Sequence, residues 1–346
     1  MTLHDVHPDV RAALARADEL EVEGRHLEAI DLLTAANAGE GDVAIERRLV
    51  HLRCSAFADL DHPVGRDVWP PELDDPFPDV SGRAPEITLA ELTPAVLGGA
   101  LMHHGSLLIR GLVSGERAEE LGEIIRQAYA SRHEQSRMKP DRRAAPDRWY
   151  TPFAPGRERA DMFGKPNVVR VVDSPRAMFE LVETYRSTGL TAAITEYLGE
   201  RPALSANKWG LRRVPADAMA GDHHQDGAFL GEGIRTVNIW LPLTRCGGDA
   251  PAPGLDFYPC RLDHIIETGG DDAFFDWTVP PSRGDRECAP FGVMRPEFAP
   301  GDALLFDEML LHRTAGGEDM TMPRLAVESW FFASSQYPGH HIAVII

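Results

Sequence analysis

The chain has 346 residues, room for one large domain with an appendage, and carries 54 acidic against 35 basic residues for a formal charge of −19. That balance leaves no basic face to compensate phosphate, so nucleic acid is not expected as a partner. Cys54, Cys246, Cys260 and Cys288 form neither a CxxC pair nor a dense framework, no stretch approaches the roughly 20 apolar residues of a membrane span, and MTLHDVHPDV is no leader, which together predict a soluble, cytoplasmic protein with reduced thiols.

From Val10 to about Leu60, apolar residues recur at helical spacing (Leu14 and Ala17, then Leu27, Ile30 and Leu33), and Gly24-Arg25 breaks the run, so three helices are predicted. ALARADELEVEGRHLEAIDLLTAAN resembles one helix-turn-helix unit of a tetratricopeptide repeat. Such units bury their apolar face only on a neighbour, so 1–62 is read as a small helical appendage packed on the rest. Residues 63–85 hold Pro63, Pro70, Pro71, Pro76, Pro78 and Pro85, cannot supply a regular ladder of backbone donors, and read as a linker to a domain over 86–346. There, SLLIR predicts a strand and about Gly115 to Ala130 an amphipathic helix. The Arg- and Pro-rich 131–165, with Trp149, Tyr150, Phe153 and Phe163, predicts a long irregular loop, either a lid or binding segment or a solvated excursion. A helical region follows from about Arg176 to Leu198. From Leu204 onward come short strands between turn residues, LSANKWGLRRV, RTVNIWLPL, GLDFYP, FGVMRPEF, DALLFD and RLAVESWFFA, the pattern of a β-sandwich or barrel.

The chemistry is expected in that second half. Two neutral imidazoles and one carboxylate suit a mononuclear Fe(II) site, holding the ion on one face and leaving positions open for small molecules. Residues i and i+2 of a strand point to one side, so GDHHQDG offers His224 and Asp226 as a pair, and His312 in GDALLFDEMLLHRT is the candidate third ligand from a distant strand. His223 stands three positions from Asp226, on the opposite side by alternation, and is assigned a supporting or solvent-facing role. The pairs His103-His104 and His340-His341 lack a carboxylate at ligand spacing and are read as surface or edge histidines.

From about Ser106 to Ala333 the chain resembles the phytanoyl-CoA dioxygenase family of Fe(II)/2-oxoglutarate-dependent oxygenases. The resemblance rests on HHQDG at 223–227, VNIWLPL at 237–243, GDALLFDEMLLHRT at 301–314 and PRLAVESWFF at 323–332. It implies an α+β fold with a double-stranded β-helix (jelly-roll, cupin-like) core and flanking helices. His224, Asp226 and His312 would bind iron, and Arg324 would grip the distal carboxylate of 2-oxoglutarate. The resemblance also implies Thr314 as an assisting hydroxyl, Trp240 lining the cosubstrate pocket and Arg170 in VVRVVD as a basic cosubstrate contact. Elementary chemistry agrees about Arg324, since a guanidinium fork matches a carboxylate bidentately.

The implied reaction consumes O2 and 2-oxoglutarate, gives succinate and CO2, and by default hydroxylates a small molecule, either an amino acid or a secondary metabolite, with desaturation or ring formation as open alternatives. Halogenating relatives lack the carboxylate, so Asp226 argues for oxygen insertion. The chain departs from the family at APAPGLDFYPCRLDH, where Pro253-Gly254 and His264 keep only part of a Pro-Gly-Ser-His turn, and at 265–298, which reads as an insertion containing Trp277. Arg142, Arg143, Arg148, Arg157 and Arg159 could attract an anion, but Asp141, Asp147, Glu158 and Asp161 largely offset them. Two rival readings stand beside this one: a cupin-like metal enzyme that does not use 2-oxoglutarate, and a binding protein with a relic oxygenase domain.

Overall fold

The computed structural model describes residues 7–138, 147–153, 167–230, 233–270, 272–317 and 320–346. Most of the expected loop at 131–165, with Arg142, Arg143, Arg157 and Arg159, lies outside them. Three helices open the chain: α1 (Pro8–Val22), α2 (His26–Ala36) and α3 (Val43–Ser55). Asp42 starts the third by accepting from the amides of Ala44 and Ile45 at 2.7 and 3.4 Å, satisfying donors that have no partner within the first turn. The helices stack in sequence, and α3 continues onto α6 (Pro175–Ser187) and the last strand, β11 (Ala343–Ile345). Buried Glu46 of α3 pairs with Arg148 at 2.6 Å and Arg176 at 2.9 Å, and Arg53 donates to the Ile345 carbonyl at 2.9 Å. Arg148 is thus committed to the helical side. One hydrophobic core runs unbroken from Leu33 and Leu49 to Val237 and Phe331.

Residues 60–85 hold neither helix nor strand. After β1 (Glu86–Thr88) comes α4 (Pro94–His104), a helix with no counterpart in the sequence reading. Its ends are signalled conventionally: Thr93 caps the Val96 amide at 3.1 Å, Pro94 follows, and Gly105 closes it at φ 76°. The interior pair Gly98-Gly99 obscures it, and the reason for that pair is close approach: a Cβ at Gly98 would stand 2.4 Å from Leu73 Cδ1. His104 is not a surface residue, being buried and bonded to Asp75 at 2.9 Å.

β2 (Ser106–Arg110) leads into α5 (Gly115–Arg137), which runs seven residues beyond the expected end. After β3 (Val168–Arg170), the helical region expected from 176 to 198 is α6 followed by α7 (Leu190–Leu198), divided at Gly189 with φ 74°. The remaining strands are β4 (Pro202–Ser205), β5 (Gly210–Val214), β6 (Thr236–Pro242), β7 (Leu255–Phe257), β8 (Ala303–Phe306), β9 (His312–Thr314) and β10 (Arg324–Ala333). A short helix, α8 (Pro281–Glu287), lies in the stretch read as an insertion. The run LSANKWGLRRV gives two strands rather than one, because the long β10 pairs with β5 along its first half and with β4 along its second. FGVMRPEF forms no regular strand and contributes only bridges at Met294 and Phe298.

Nine of these strands form one sheet in the order β1-β2-β8-β6-β10-β4-β11, with β5 attached beside β10 and β3 beside β5. β7 and β9 form a second, widened by backbone bridges from His224 to His312 and from Phe257 to Met294. Strand alternation gives the large sheet two unlike faces. Val237, Ile239, Leu241, Leu305, Val327 and Phe331 join the helices in the main core. Trp240, Leu304, Phe306 and Ala326 turn the other way and pack with Leu255 and Phe257 of the small sheet. The space between the sheets, opposite the helices, holds the site. Among the described residues no helix is long and apolar enough to cross a membrane, and all four cysteines are free.

Candidate metal centre

Each residue from His223 to Gly227 has a distinct task. His224 exchanges backbone hydrogen bonds with His312, 2.9 and 3.0 Å, which brings the two imidazoles to 4.5 Å between ring centroids. Gln225 is buried, and its amide donates to the carbonyls of His264 and Met309, both at 2.9 Å, while its oxygen accepts from the Ile266 amide at 2.7 Å. Asp226 does not continue a strand, as alternation would have it, but opens a 3-10 turn over Asp226–Phe229. That turn presses its backbone on the 308 loop: the Gly227 amide donates to the Glu308 carbonyl at 2.9 Å, and a Cβ there would lie 2.6 Å from Ile265 Cδ1. Asn238 of β6 donates to Asp226 Oδ2 at 2.6 Å and so orients the carboxylate.

His312 opens β9. Its Nδ1 lies 2.9 Å from the Leu310 carbonyl, which can only accept, so the proton sits on Nδ1 and Nε2 keeps its lone pair. One ligand atom from each of His224, Asp226 and His312 falls within 4.8 Å of the others, the single such cluster among the described residues. Burial pushes the Asp226 carboxyl up to about 6 against the opposing pull of His312 and Lys208. Burial, helped by His312 and Lys208, holds His224 well below the usual imidazole range. A divalent cation here would restore the carboxylate and match a His224 imidazole that burial already keeps neutral.

His223 faces away, buried against Tyr258 at 4.9 Å between ring centroids, with both ring nitrogens unpartnered and its pKa pushed to about 3 by burial and then by Arg313. It is an interior residue, not a solvent-facing one.

Arg324 begins β10 on the face that carries Ala326, Glu328 and, across the strand pair, Trp240. The side chain is fully buried (0 % exposed). Nη1 donates to the carbonyls of Pro253 and Gly254 at 3.1 and 2.9 Å, while Nε and Nη2 have no partner among the described residues. The guanidinium carbon lies 5.0 Å from the Trp240 ring centroid, and the Trp240 indole N–H is also unpartnered. Burial draws the Arg324 pKa down to about 10. Unsatisfied donors on a buried cation are costly, and their clustering here marks a place prepared for an acceptor.

Of the remaining sequence candidates, Thr314 follows His312 by two positions on β9, half-buried, and pairs with Leu255. Arg170 is held by Asp173 at 2.8 and 3.0 Å and by the Phe153 carbonyl at 2.8 Å, contacts that belong to the β3 corner rather than to the His-Asp-His group. Sequence reasoning missed Asn238, although it lies within VNIWLPL, because nothing in a strand pattern says which partner an amide will find. It also missed an aromatic rim: Trp277, from the stretch read as an insertion, stands 5.4 Å from the His224 ring centroid, and Phe229 stands 5.9 Å from it.

No protein-family model matches the chain, and no curated protein matches it. Among solved structures, the chain is similar to EvdO2 of Micromonospora carbonacea var. aurantiaca complexed with 2-oxoglutarate (17% identity, TM-score 0.43, 71% of this chain and 90% of that one). It is also similar to EctD of S. alaskensis with 2-oxoglutarate and 5-hydroxyectoine (17% identity, TM-score 0.48, 71% and 79%). A third is SnoK, a non-heme alpha ketoglutarate dependent carbocyclase from nogalamycin biosynthesis (12% identity, TM-score 0.46, 71% and 86%).

Proposed function

We propose that the chain is an Fe(II)- and 2-oxoglutarate-dependent oxygenase of the phytanoyl-CoA dioxygenase type, built on a double-stranded β-helix core and hydroxylating a small molecule. The observation that carries this reading is the buried Arg324 guanidinium with two unpartnered nitrogens, on the sheet face that also carries Asn238, the residue bonded to Asp226. The donor set fits the groups. His224, Asp226 and His312 would hold Fe(II), and Arg324, with the Trp240 indole N–H beside it, would hold the far carboxylate of 2-oxoglutarate. A bidentate guanidinium–carboxylate pair would satisfy the donors that the folded chain leaves open. When bound, the iron and cosubstrate supply an oxidation that consumes O2 and releases succinate and CO2.

The chain's own part is positional. The Leu310 carbonyl fixes the His312 tautomer, Asn238 fixes the Asp226 rotamer, and Gln225 ties together the loops on either side. Leu304, Phe306 and Ala326 exclude water from the inner face of the sheet. Thr314 stands beside the ligand His312 as the hydroxyl available to the cosubstrate.

The test is anaerobic reconstitution with Fe(II), followed by oxygen-dependent succinate formation from 2-oxoglutarate. Wild-type protein should bind one equivalent of iron, and Arg324→Ala should raise the 2-oxoglutarate KM about a hundredfold, the loss expected of a charge-assisted bidentate pair. Unchanged 2-oxoglutarate turnover in Arg324→Ala would transfer the case to a metal enzyme that does not use this cosubstrate.

A further inference from the structure

Lys208 lies in the turn between β4 and β5, and its side chain is almost enclosed (7 % exposed). Buried lysines normally find a carboxylate, because an unpaired ammonium away from water is costly. No carboxylate among the described residues pairs with this one. Its Nζ instead sits 4.2 Å from the Trp330 ring centroid and 5.2 Å from that of Phe229. Aromatic faces offset part of the desolvation and leave the charge in place. Burial pulls the Lys208 pKa down, while Asp226 and Glu328 act the other way, so the ammonium is felt at the metal ligands.

Phe229 continues the contact chain. It adjoins His224 and stands 5.6 Å from Trp277, which in turn lies parallel to Phe275 at 5.2 Å and 6°. Trp277 and Phe275 are 43 % and 46 % exposed, unusual for large aromatic rings placed beside a buried polar centre. The stretch from Trp330 through Lys208, Phe229 and Trp277 is therefore a continuous strip, cationic at one end and flat and apolar at the other, running past His224.

Charge accounting, which rests on the reading given under Proposed function, says what the strip lacks. A divalent ion, Asp226, a dianionic cosubstrate and Arg324 sum to neutrality. Arg212 and Glu328, on the same sheet face, neutralise each other at 3.3 Å. Among the described residues Lys208 is left over. We propose that the organic substrate is a flat-ringed monocarboxylic acid, its carboxylate taken by Lys208 and its ring lying on Phe229 and Trp277. Lys208 and Trp277 are then specificity-determining residues, one reading charge and the other shape.

The experiment is calorimetric titration of the Fe(II)- and 2-oxoglutarate-loaded protein, without oxygen, with indole-3-acetate, cinnamate and anthranilate, each against its primary amide. At least one acid should bind about tenfold or more tighter than its amide, the margin of a single desolvated charge contact. Lys208→Met should bring acid and amide to within about twofold of each other, and Trp277→Ala should weaken both alike. Equal binding of acids and amides, binding of none of them, or an acid preference that survives in Lys208→Met would overturn the proposal. If Lys208→Met fails to fold, Lys208→Gln makes the same comparison, with the same outcomes. A separate titration of 2-oxoglutarate into the Fe(II) protein reports on the underlying reading. If 2-oxoglutarate does not bind, that reading falls and this one with it; if it binds and the acids are not preferred, only this one falls.

Discussion

The two faces of the large sheet come from the same strands and could hardly differ more. On the helix side, Val237, Ile239, Leu241, Leu305, Val327 and Phe331 make a sealed apolar layer. On the inner side, one residue along in each strand, stand Asn238, Trp240, Arg324, Glu328 and Trp330. The first face contributes stability at roughly 25 cal/mol for each Å² removed from water. The second costs stability, since buried polar atoms of Asn238, Trp240 and Arg324 lack partners among the described residues. Alternation thus lets one set of strands serve as scaffold on one face and as site on the other, the first offsetting what the second costs.

The largest loss is expected on the inner face, at the proposed metal ligands. His312→Ala should abolish iron binding and oxygen-dependent succinate formation, a loss of about a thousandfold or more, while the thermal unfolding midpoint of the metal-free protein falls only slightly. Metal analysis beside calorimetry checks this, and an active His312→Ala protein would sink the site. Leu305→Ala, one residue from the inner-facing Leu304 and Phe306, should do the opposite. It should cost about 2–5 kcal/mol of unfolding free energy by denaturant titration and leave the iron affinity of the folded fraction unchanged. Asn238→Ala should lower iron affinity about 10–100-fold by freeing the Asp226 carboxylate, with little change in stability.

The smallest effect sharpens the comparison at the sheet's far end. His341 bonds to Ser205 at 3.0 Å, and burial, with His340 beside it, depresses its pKa from 6.5 to about 4. The unfolded chain therefore takes up a proton that the folded chain refuses, and stability should fall as pH drops from 6.5 toward 4. His341→Gln should flatten that slope in a series of thermal melts, and a slope identical to wild type would rule this histidine out as its source.

How much of this was legible follows from what each signal depends on. Helical periodicity placed α1 to α3 and the core of α5, because burial of one face is written into residue spacing. α4 escaped because Gly98 and Gly99 answer to Leu73, a residue distant in sequence, rather than to helix propensity. His224, Asp226 and His312 were found by type and spacing, and the structure gathers them, although the alternation argument for Asp226 describes a strand that is a turn. Arg324 was placed by resemblance, while its unpartnered nitrogens are visible only in three dimensions. Arg170 answers to Asp173, three residues away, which a reading of VVRVVD could have weighed. Lys208, Phe229 and Trp277 come from three separated segments, and nothing local announces their meeting.

The attachment of the aromatic segment has an evolutionary consequence. Gln225 holds it through the His264 carbonyl and the Ile266 amide, and His223 holds it through a 2.7 Å bond from the Val279 amide, so every one of these ties ends on main chain. Between those anchor points Thr278 is buried and bonds within the segment, while the exposed rings of Phe274, Phe275 and Trp277 secure none of these main-chain ties. Those rings can therefore be exchanged by point mutation in one short stretch while His224, Asp226 and His312 keep their places.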